Sequence, residues 1–367
     1  MTNPRRRAHV VLFATLLLAV SAGAGFAGRA EKALAKEQAK RIAELPAAYQ
    51  TWLAEVEVLI TPSEIAAFLE IAEDYQRDAF IERFWEVRDP YPDTGRNELR
   101  ERWQARLEQV RRFGGLAEDR AKFFLLNGSP DAILQPRCSG VTWPMEIWFY
   151  NGSEKIREKF FVYFVQRFGL GPYRRWDPVE GVGSLLQFGG SSEGNALAAI
   201  AQGCANGDEV AGALSWGLRQ GQMAYSMLLA KLEAPPERPG GEWIGTFASQ
   251  STEVPEGSLT FPATLELRYP ARRQNRTVAQ GILGVAVADA GRAEISGSRS
   301  YDFLLTGEVL RGHKLFESFR YKFDFLAADV AGPMIPMVFE RFLRPGTYSL
   351  IVKLEDLNSK KFFRQRL

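Results

Sequence analysis

Histidine and cysteine are the residues that most readily serve as bases, nucleophiles or metal ligands near neutral pH. This chain of 367 residues has two of each: His9, His313, Cys138 and Cys204. No finger-like spacing joins them, so a zinc site fails on ligand supply. A nucleophilic triad would have to use His313, which sits in Arg311-Gly312-His313-Lys314 and reads as a turn between strands. No Gly-x-Ser-x-Gly elbow accompanies it. The glycine pairs at Gly181-Val182-Gly183 and Gly189-Gly190 lack the lysine or third glycine of a phosphate-cradling loop and read as turns. No cofactor motif is found.

The densest polar motif is Arg88-Asp89-Pro90-Tyr91-Pro92-Asp93-Thr94, followed by Glu98. Asp89, Asp93 and Glu98 could be paired carboxylates for glycoside hydrolysis or a calcium site. The alternating oxygen ligands and central glycine of a calcium loop are absent, however. A structural assignment accounts for the same residues. Pro90 and Pro92 fix a tight connection, Asp93 or Thr94 caps the next helix, and Arg88 pairs with a carboxylate to lock the corner.

The elements that must position this block follow from spacing. Thr61-Pro62-Ser63-Glu64 is a capping box with proline at the first helical position. Ile65, Phe68, Leu69 and Ala72 repeat on one helical face behind it. A second helix carries Phe80, Ile81, Phe84 and Trp85 and stops before Pro90. A third starts near Asp93 or Thr94 and runs through Leu99, Trp103, Leu107 and Val110 to Gly114-Gly115. Strands are then expected at Phe123 to Leu126, Glu146 to Tyr150 and Phe160 to Val165, with Asn151-Gly152 as a turn signal between the last two. An irregular, glycine-frequent connection from Gly169 to Gly207 leads to one helix from about Asp208 to Leu232, and then to the linker Pro235–Gly241. Beyond it the residues alternate: Tyr301, Phe303 and Leu305; Phe319, Tyr321, Phe323 and Phe325; Tyr348, Leu350, Val352 and Leu354. About seven strand candidates between Trp243 and Phe363 suit an immunoglobulin-like sandwich.

The N-terminus has the three parts of an export signal: Arg5, Arg6 and Arg7, an apolar run from Val10 to Val20, and small residues with cleavage expected after Ala24 or Ala27. No cysteine follows the apolar run, which excludes a lipoprotein anchor. An exported chain matures in an oxidising compartment, where Cys138 and Cys204 are expected to form a disulfide closing a loop of about 65 residues. The division expected is a signal peptide over 1–27, a helical extension over 28–60, an α+β domain over 61–170 with a small antiparallel sheet, a connection over 171–239, and an all-β domain over 240–367.

The block from Phe84 to Asp131 resembles the bacterial GWxTD-domain family. Phe84-Trp85, Arg88-Asp89-Pro90, Pro92, Thr94 and Asn97-Glu98 stand at that family's spacings, and Gly128-x-Pro130-Asp131 is similar to its downstream signature. The naming motif is degraded: Gly115-Leu116-Ala117-Glu118-Asp119 keeps Gly115 and Asp119 but has Leu116 and Glu118 where Trp and Thr are expected, and Arg120 agrees again. The resemblance covers roughly residues 45–165. It implies an exported bacterial protein from a family with no established biochemical activity, so no catalytic residue carries over.

The formal charge of +2 argues against a nucleic-acid track. The arginine pairs Arg111-Arg112, Arg174-Arg175 and Arg272-Arg273 read as solvated or ion-paired surface. The stripe from Phe319 to Phe325 could floor a carbohydrate groove but suits a sheet core better. An exposed strand edge offers another route to a partner. The function expected is a non-enzymatic envelope module that binds or scaffolds a protein partner. A carbohydrate- or peptidoglycan-binding protein and a carboxylate-dependent hydrolase are the alternatives. A membrane is expected only through an uncleaved signal anchor.

Overall fold

The computed structural model describes residues 33–138, 140–189, 192–236, 239–295 and 297–367; the export signal expected over 1–27 lies outside the described residues. The chain divides into two compact units, one of residues up to Leu69 with Arg88–Arg238, the other of Glu70–Val87 with Pro239–Leu367. The stretch 70–87, which sequence reasoning keeps within an N-terminal domain over 61–170, therefore belongs with the C-terminal unit. Residues 171–236 are part of the first unit rather than a connection. No helix among the described residues is long and apolar enough to cross a membrane.

The first unit opens with helical turns over 33–44 (α1) and α2 (Ala47–Glu55). Trp52, Leu53, Val56 and Leu59 are buried, so this stretch is a wall of the unit and not an extension. In α3 (Pro62–Leu69) the capping box forms in both directions: Thr61 N donates to Glu64 Oε2 at 2.8 Å, and Glu64 N donates to Thr61 Oγ1 at 3.2 Å. The helix ends at Leu69, short of Ala72. After the excursion into the second unit the chain re-enters at Arg88 and makes α5 (Glu98–Val110), whose cap is Asn97, accepting from Arg100 N at 2.8 Å. Sequence reasoning places this cap at Asp93 or Thr94. Those residues instead form an irregular turn in which Thr94 N donates to Tyr91 O.

Residues 123–126 form helix, not strand: α6 spans Asp119–Asn127. Arg120, Ala121, Phe123, Phe124 and Leu125 are all buried, and an apolar run buried nearly all round shows no period that separates helix from strand. A four-stranded antiparallel sheet follows in the order β1 (Ala132–Leu134), β2 (Met145–Tyr150), β3 (Phe160–Val165), β4 (Arg174–Trp176). The β2–β3 hairpin has the expected strands, registered from Met145 opposite Val165 to Tyr150 opposite Phe160.

Three helices complete the unit: α7 (Glu193–Gly203), inside the segment expected to be irregular, α8 (Gly207–Gln220) and α9 (Gln222–Glu233). The single helix expected from Asp208 to Leu232 breaks at Gly221, whose φ of 75° is a left-handed conformation open to glycine. Tyr163 of β3 donates to Ala213 O at 2.8 Å. A Cβ on Gly217 would meet that hydroxyl at 2.6 Å, so α8 approaches the sheet only because residue 217 has no side chain. Cys138 and Cys204 are joined in a disulfide, 66 residues apart in sequence. It ties the β1–β2 connection to the end of α7 and suggests an oxidising compartment.

Among its described residues the second unit contains α4 (Asp74–Glu86), α10 (Glu242–Ser249) and eight strands. Trp243 thus opens a helix and not a strand series. A three-stranded sheet runs β10 (Met334–Leu343), β6 (Arg276–Ala286), β5 (Ala263–Arg273). The larger sheet runs β12 (Lys361–Arg366), β11 (Ser349–Asp356), β8 (Ser298–Arg311), β7 (Ala293–Ile295), with β9 (Lys314–Leu326) also on β8. Every pairing within the two sheets is antiparallel. Leu283, Val285, Phe303, Leu305, Ile335 and Val352, from both sheets, share one apolar cluster. At its centre Phe319 lies over Gly307 and Phe339 over Gly281, their ring centroids 5.2 Å apart. Each glycine leaves room for the ring of its cross-strand neighbour. The stripe of Phe319, Tyr321, Phe323 and Phe325 packs against this cluster.

One buried ion pair anchors the first unit. Arg88 Nη2 donates to both oxygens of Glu64 at 2.7 Å, with side chains 3 % and 2 % exposed. Breaking a buried pair by removing one partner costs about 3–5 kcal/mol because a charge is stranded. Arg88→Met should lower unfolding free energy by that amount in urea titrations, and Arg88→Met with Glu64→Gln should recover much of the loss. A second test uses pH. Lys155 Nζ donates to Leu232 O and Ala234 O at the end of α9. Burial, aided by the Arg106 charge, pulls the Lys155 ammonium down to about 8. The unfolded chain then binds more protons between pH 8 and the ordinary lysine range, so stability rises with pH across that window. Relative to Lys155→Met, the parent protein should gain stability from pH 7.5 to 9.5 in the same titrations.

Candidate functional site

Of the residues singled out for chemistry, Asp89, Asp93 and Glu98 lie in and after one turn and His313 lies elsewhere. Asp89 Oδ1 accepts from Tyr91 N at 2.9 Å, an Asx turn. Asp93 is exposed. Glu98 sits in the first turn of α5 with Oε1 3.1 Å from Thr94 Oγ1. Pro90 and Pro92 lie in the same irregular turn. Phe84 and Trp85, both buried, stack edge to face on α4 at 5.3 Å. Their neighbours in sequence, from Arg88 onward, belong to the other unit. His313 is exposed in the Gly312-His313 turn between β8 and β9.

The segment Gly114–Arg120 leads into a buried polar network. Gly114 and Gly115, with φ of 81° and 117°, end the helical turns after α5. The chain then enters α6 through Glu118. Arg120, on the first turn of α6, is held between two carboxylates, Glu118 and Glu146 of β2, with its guanidinium 3.7 Å from the Tyr173 ring centroid. Glu146 also accepts from Trp148 Nε1 at 2.9 Å and from Gln135 Nε2 at 3.1 Å. Burial, with the Glu146 charge, holds the Tyr173 phenol above its ordinary range. Asp119 accepts from Arg175 N at 2.9 Å and pairs with Arg174, fastening β4 to α6. Downstream, Gly128 O accepts from the Tyr150 hydroxyl, and Asp131 accepts from Asn151 N; Pro130 lies between them. Each of these groups fastens one element to the next, and among the described residues no three His, Cys, Asp or Glu side chains are placed to hold a metal ion.

A surface that sequence reasoning left general is defined by the second unit. Strand β9 is thirteen residues long and pairs with β8 along one side. Its first residues, Lys314–Ser318, border a groove of about 690 Å³ whose other walls are α4 and α10. Trp243 and Phe247 of α10 pack on Phe80 of α4 at 4.8 and 5.4 Å, and Phe316 stands 49 % exposed in the wall opposite. The edges elsewhere are blunted. Strand β5 carries Pro270 at a register shift, and β10 carries Pro336. The segment Leu259–Phe261 bonds along β12. Strands β1, β4 and β7 have three residues each. Proline, cover and shortness all keep an edge from templating a further strand; β9 is long and free of proline, while α4 lies beside it and its pairing with β8 shifts register at Phe316. The only signal for this in the sequence is the long proline-free alternation from Leu315 to Phe325.

No protein-family model matches the chain, and no curated protein matches it. Solved structures that match in part include a Bacteroides uniformis β-glucuronidase, 14 % identical over 28 % of this chain with a TM-score of 0.21. A calcium-binding mutant of Bacteroides uniformis β-glucuronidase 2 is 13 % identical over 29 % of this chain, with the same score. The matches span 12 % and 13 % of those enzymes' own length, and at this score the likeness carries nothing about function.

Proposed function

We propose that this is an exported envelope protein of the GWxTD type that does no chemistry of its own and holds a protein partner by accepting an extended segment along β9. The observation that carries this reading is the contrast among edges: β9 is thirteen residues long, free of proline and, among the described residues, paired with a strand on one side only. Strand addition supplies main-chain hydrogen bonds for affinity, and side chains on alternate positions supply selectivity. On β9 the exposed alternate positions are Arg320, Lys322 and Asp324, with Lys322 paired to Asp324 at 3.0 Å. The partner strand carries acidic residues opposite Arg320 and Lys322, with an apolar side chain entering the groove beside Phe316. The immunoglobulin-like form of the two sheets belongs to the same reading, since such frameworks present edges and end loops to partners. Export is supported by the disulfide together with the basic and apolar N-terminal run. The Asx turn made by Asp89 supports a structural part for that carboxylate.

Photo-crosslinking tests the reading. A crosslinking residue at Phe316 or Lys322 in the full chain should give one discrete adduct with a single envelope protein, and the same residue at Thr264 of β5 should give none. Arg320→Glu with Lys322→Glu should weaken capture at least tenfold, with thermal unfolding unchanged. Equal adducts from β5 and β9 would sink the proposal.

A further inference from the structure

Of the arginine pairs Arg111-Arg112, Arg174-Arg175 and Arg272-Arg273, two lie beside carboxylates or aromatic rings. Arg174 and Arg175 pair with Asp119, Asp177 and Glu233, and Arg112 lies against the Phe113 and Phe124 rings. The third pair is different. Arg272 and Arg273 end β5, Gln274 and Asn275 form a tight turn with φ of 48° and 61°, and Arg276 opens β6. A two-residue turn with positive φ at both positions brings the flanking residues face to face, and Arg273 is registered directly opposite Arg276. Strand β10 is registered beside β6 as far as Leu343 opposite Thr277, so the next residue, Arg344, arrives beside Arg276. The four arginines line one open concavity of about 1260 Å³, together with Gln274, Asn275, Phe342 and Pro345 and with no carboxylate. None of the four has an ion-pair partner among the described residues.

Like charges at facing positions of a strand pair repel. Here four guanidiniums share one hollow that no Asp or Glu side chain lines, on a chain of net charge +2. Arg272, Arg273 and Arg344 are exposed beside an apolar cleft of about 440 Å³ that shares Arg344 and Pro345 with the first. Leu267, Tyr269, Leu343, Tyr348 and Leu350 line that cleft, and Tyr269 is 66 % exposed. The Tyr348 hydroxyl is buried there with no hydrogen-bond partner among the described residues. Guanidinium forks match phosphate oxygens in pairs. An apolar cleft flanked by tyrosine and bordered by arginines suits the boundary between lipid headgroups and hydrocarbon.

We propose that this end of the C-terminal unit is a membrane-surface site for anionic phospholipid. The arginines of the β5–β6 turn and Arg344 take the phosphates, and the Tyr269–Leu343 cleft takes the adjoining apolar part. Co-sedimentation of the full chain with phosphatidylcholine vesicles, with and without phosphatidylglycerol, tests it. Binding is expected to the anionic vesicles alone and to weaken as salt screens the charges. Each arginine near an anionic surface contributes about a fivefold gain in partition, so Arg273→Gln with Arg276→Gln should lose roughly 30-fold. Arg268→Gln alters an exposed arginine of β5 that is already paired with Glu266, and should leave binding unchanged. Tyr269→Ser should lower the binding that persists at high salt. Equal binding to both vesicle types, an Arg268→Gln loss as large as that of the double variant, or saturable binding of inorganic phosphate without vesicle binding would each overturn the assignment.

Discussion

A carboxylate removed from water has to be matched by a cation and hydrogen bonds, or the burial is too costly to keep. Glu64 meets that requirement twice over. One oxygen closes the capping box at Thr61 N while both oxygens face Arg88. The pair joins residues 24 positions apart, on either side of the stretch 70–87 that folds into the other unit. Because α3 cannot shift without stranding Arg88, the ion pair sets where the chain leaves the first unit and where it returns. The Asp89–Asn97 turn and α5 are positioned from that fixed point. Arg120 plays a related part between Glu118 and Glu146, holding the start of α6 on β2.

The second unit meets the same constraint with neutral donors. Glu308, 2 % exposed on β8, accepts from the Tyr75 hydroxyl at 2.8 Å, from Gln76 Nε2 at 3.0 Å and from Thr252 Oγ1. Tyr75 and Gln76 come from α4 and Thr252 from the segment after α10, so one carboxylate gathers two parts of the chain onto the sheet. Glu253 accepts from Ala72 N and Glu73 N at the start of α4, where a helix N-terminus favours an anion. The stretch 70–87 is thus held in the second unit by hydrogen bonds to residues more than 170 positions away. No local pattern in the sequence announces such contacts.

What was legible was local and periodic. The Thr61–Glu64 box is a four-residue signal with its own geometry, and the strands at Glu146–Tyr150, Phe160–Val165 and in the C-terminal half carry period two on their faces. What was not legible depends on tertiary surroundings. Phe123 to Leu126 is equally apolar as helix or strand, and burial on most sides erases the period that would decide. Gly221 breaks a helix through a left-handed conformation, whereas Gly212 and Gly217 sit within α8, so residue type alone does not locate the break. Asn97 rather than Thr94 caps α5, and Thr94 is taken up within the preceding turn, its N–H on Tyr91 O and its hydroxyl on Arg96 O.

The same reasoning separates sites from scaffolding. A polar side chain held by a cap, a turn or an opposite charge has its interaction energy committed to the folded state, and the field it could offer a ligand is largely cancelled. Asp119, Glu146, Arg120 and Arg175 are of this kind, and Arg175 and Arg272 look alike in the sequence. The difference arises only when the fold places Asp177 and Glu233 beside Arg175 and leaves the hollow at the Gln274-Asn275 turn lined with four arginines and no carboxylate. Strand edges divide in the same way: Pro270, Pro336 and the Leu259–Phe261 cover use up or remove the bonding groups of their strands. Among the described residues of the second unit, the arginine hollow at the β5–β6 turn keeps its charges unpaired.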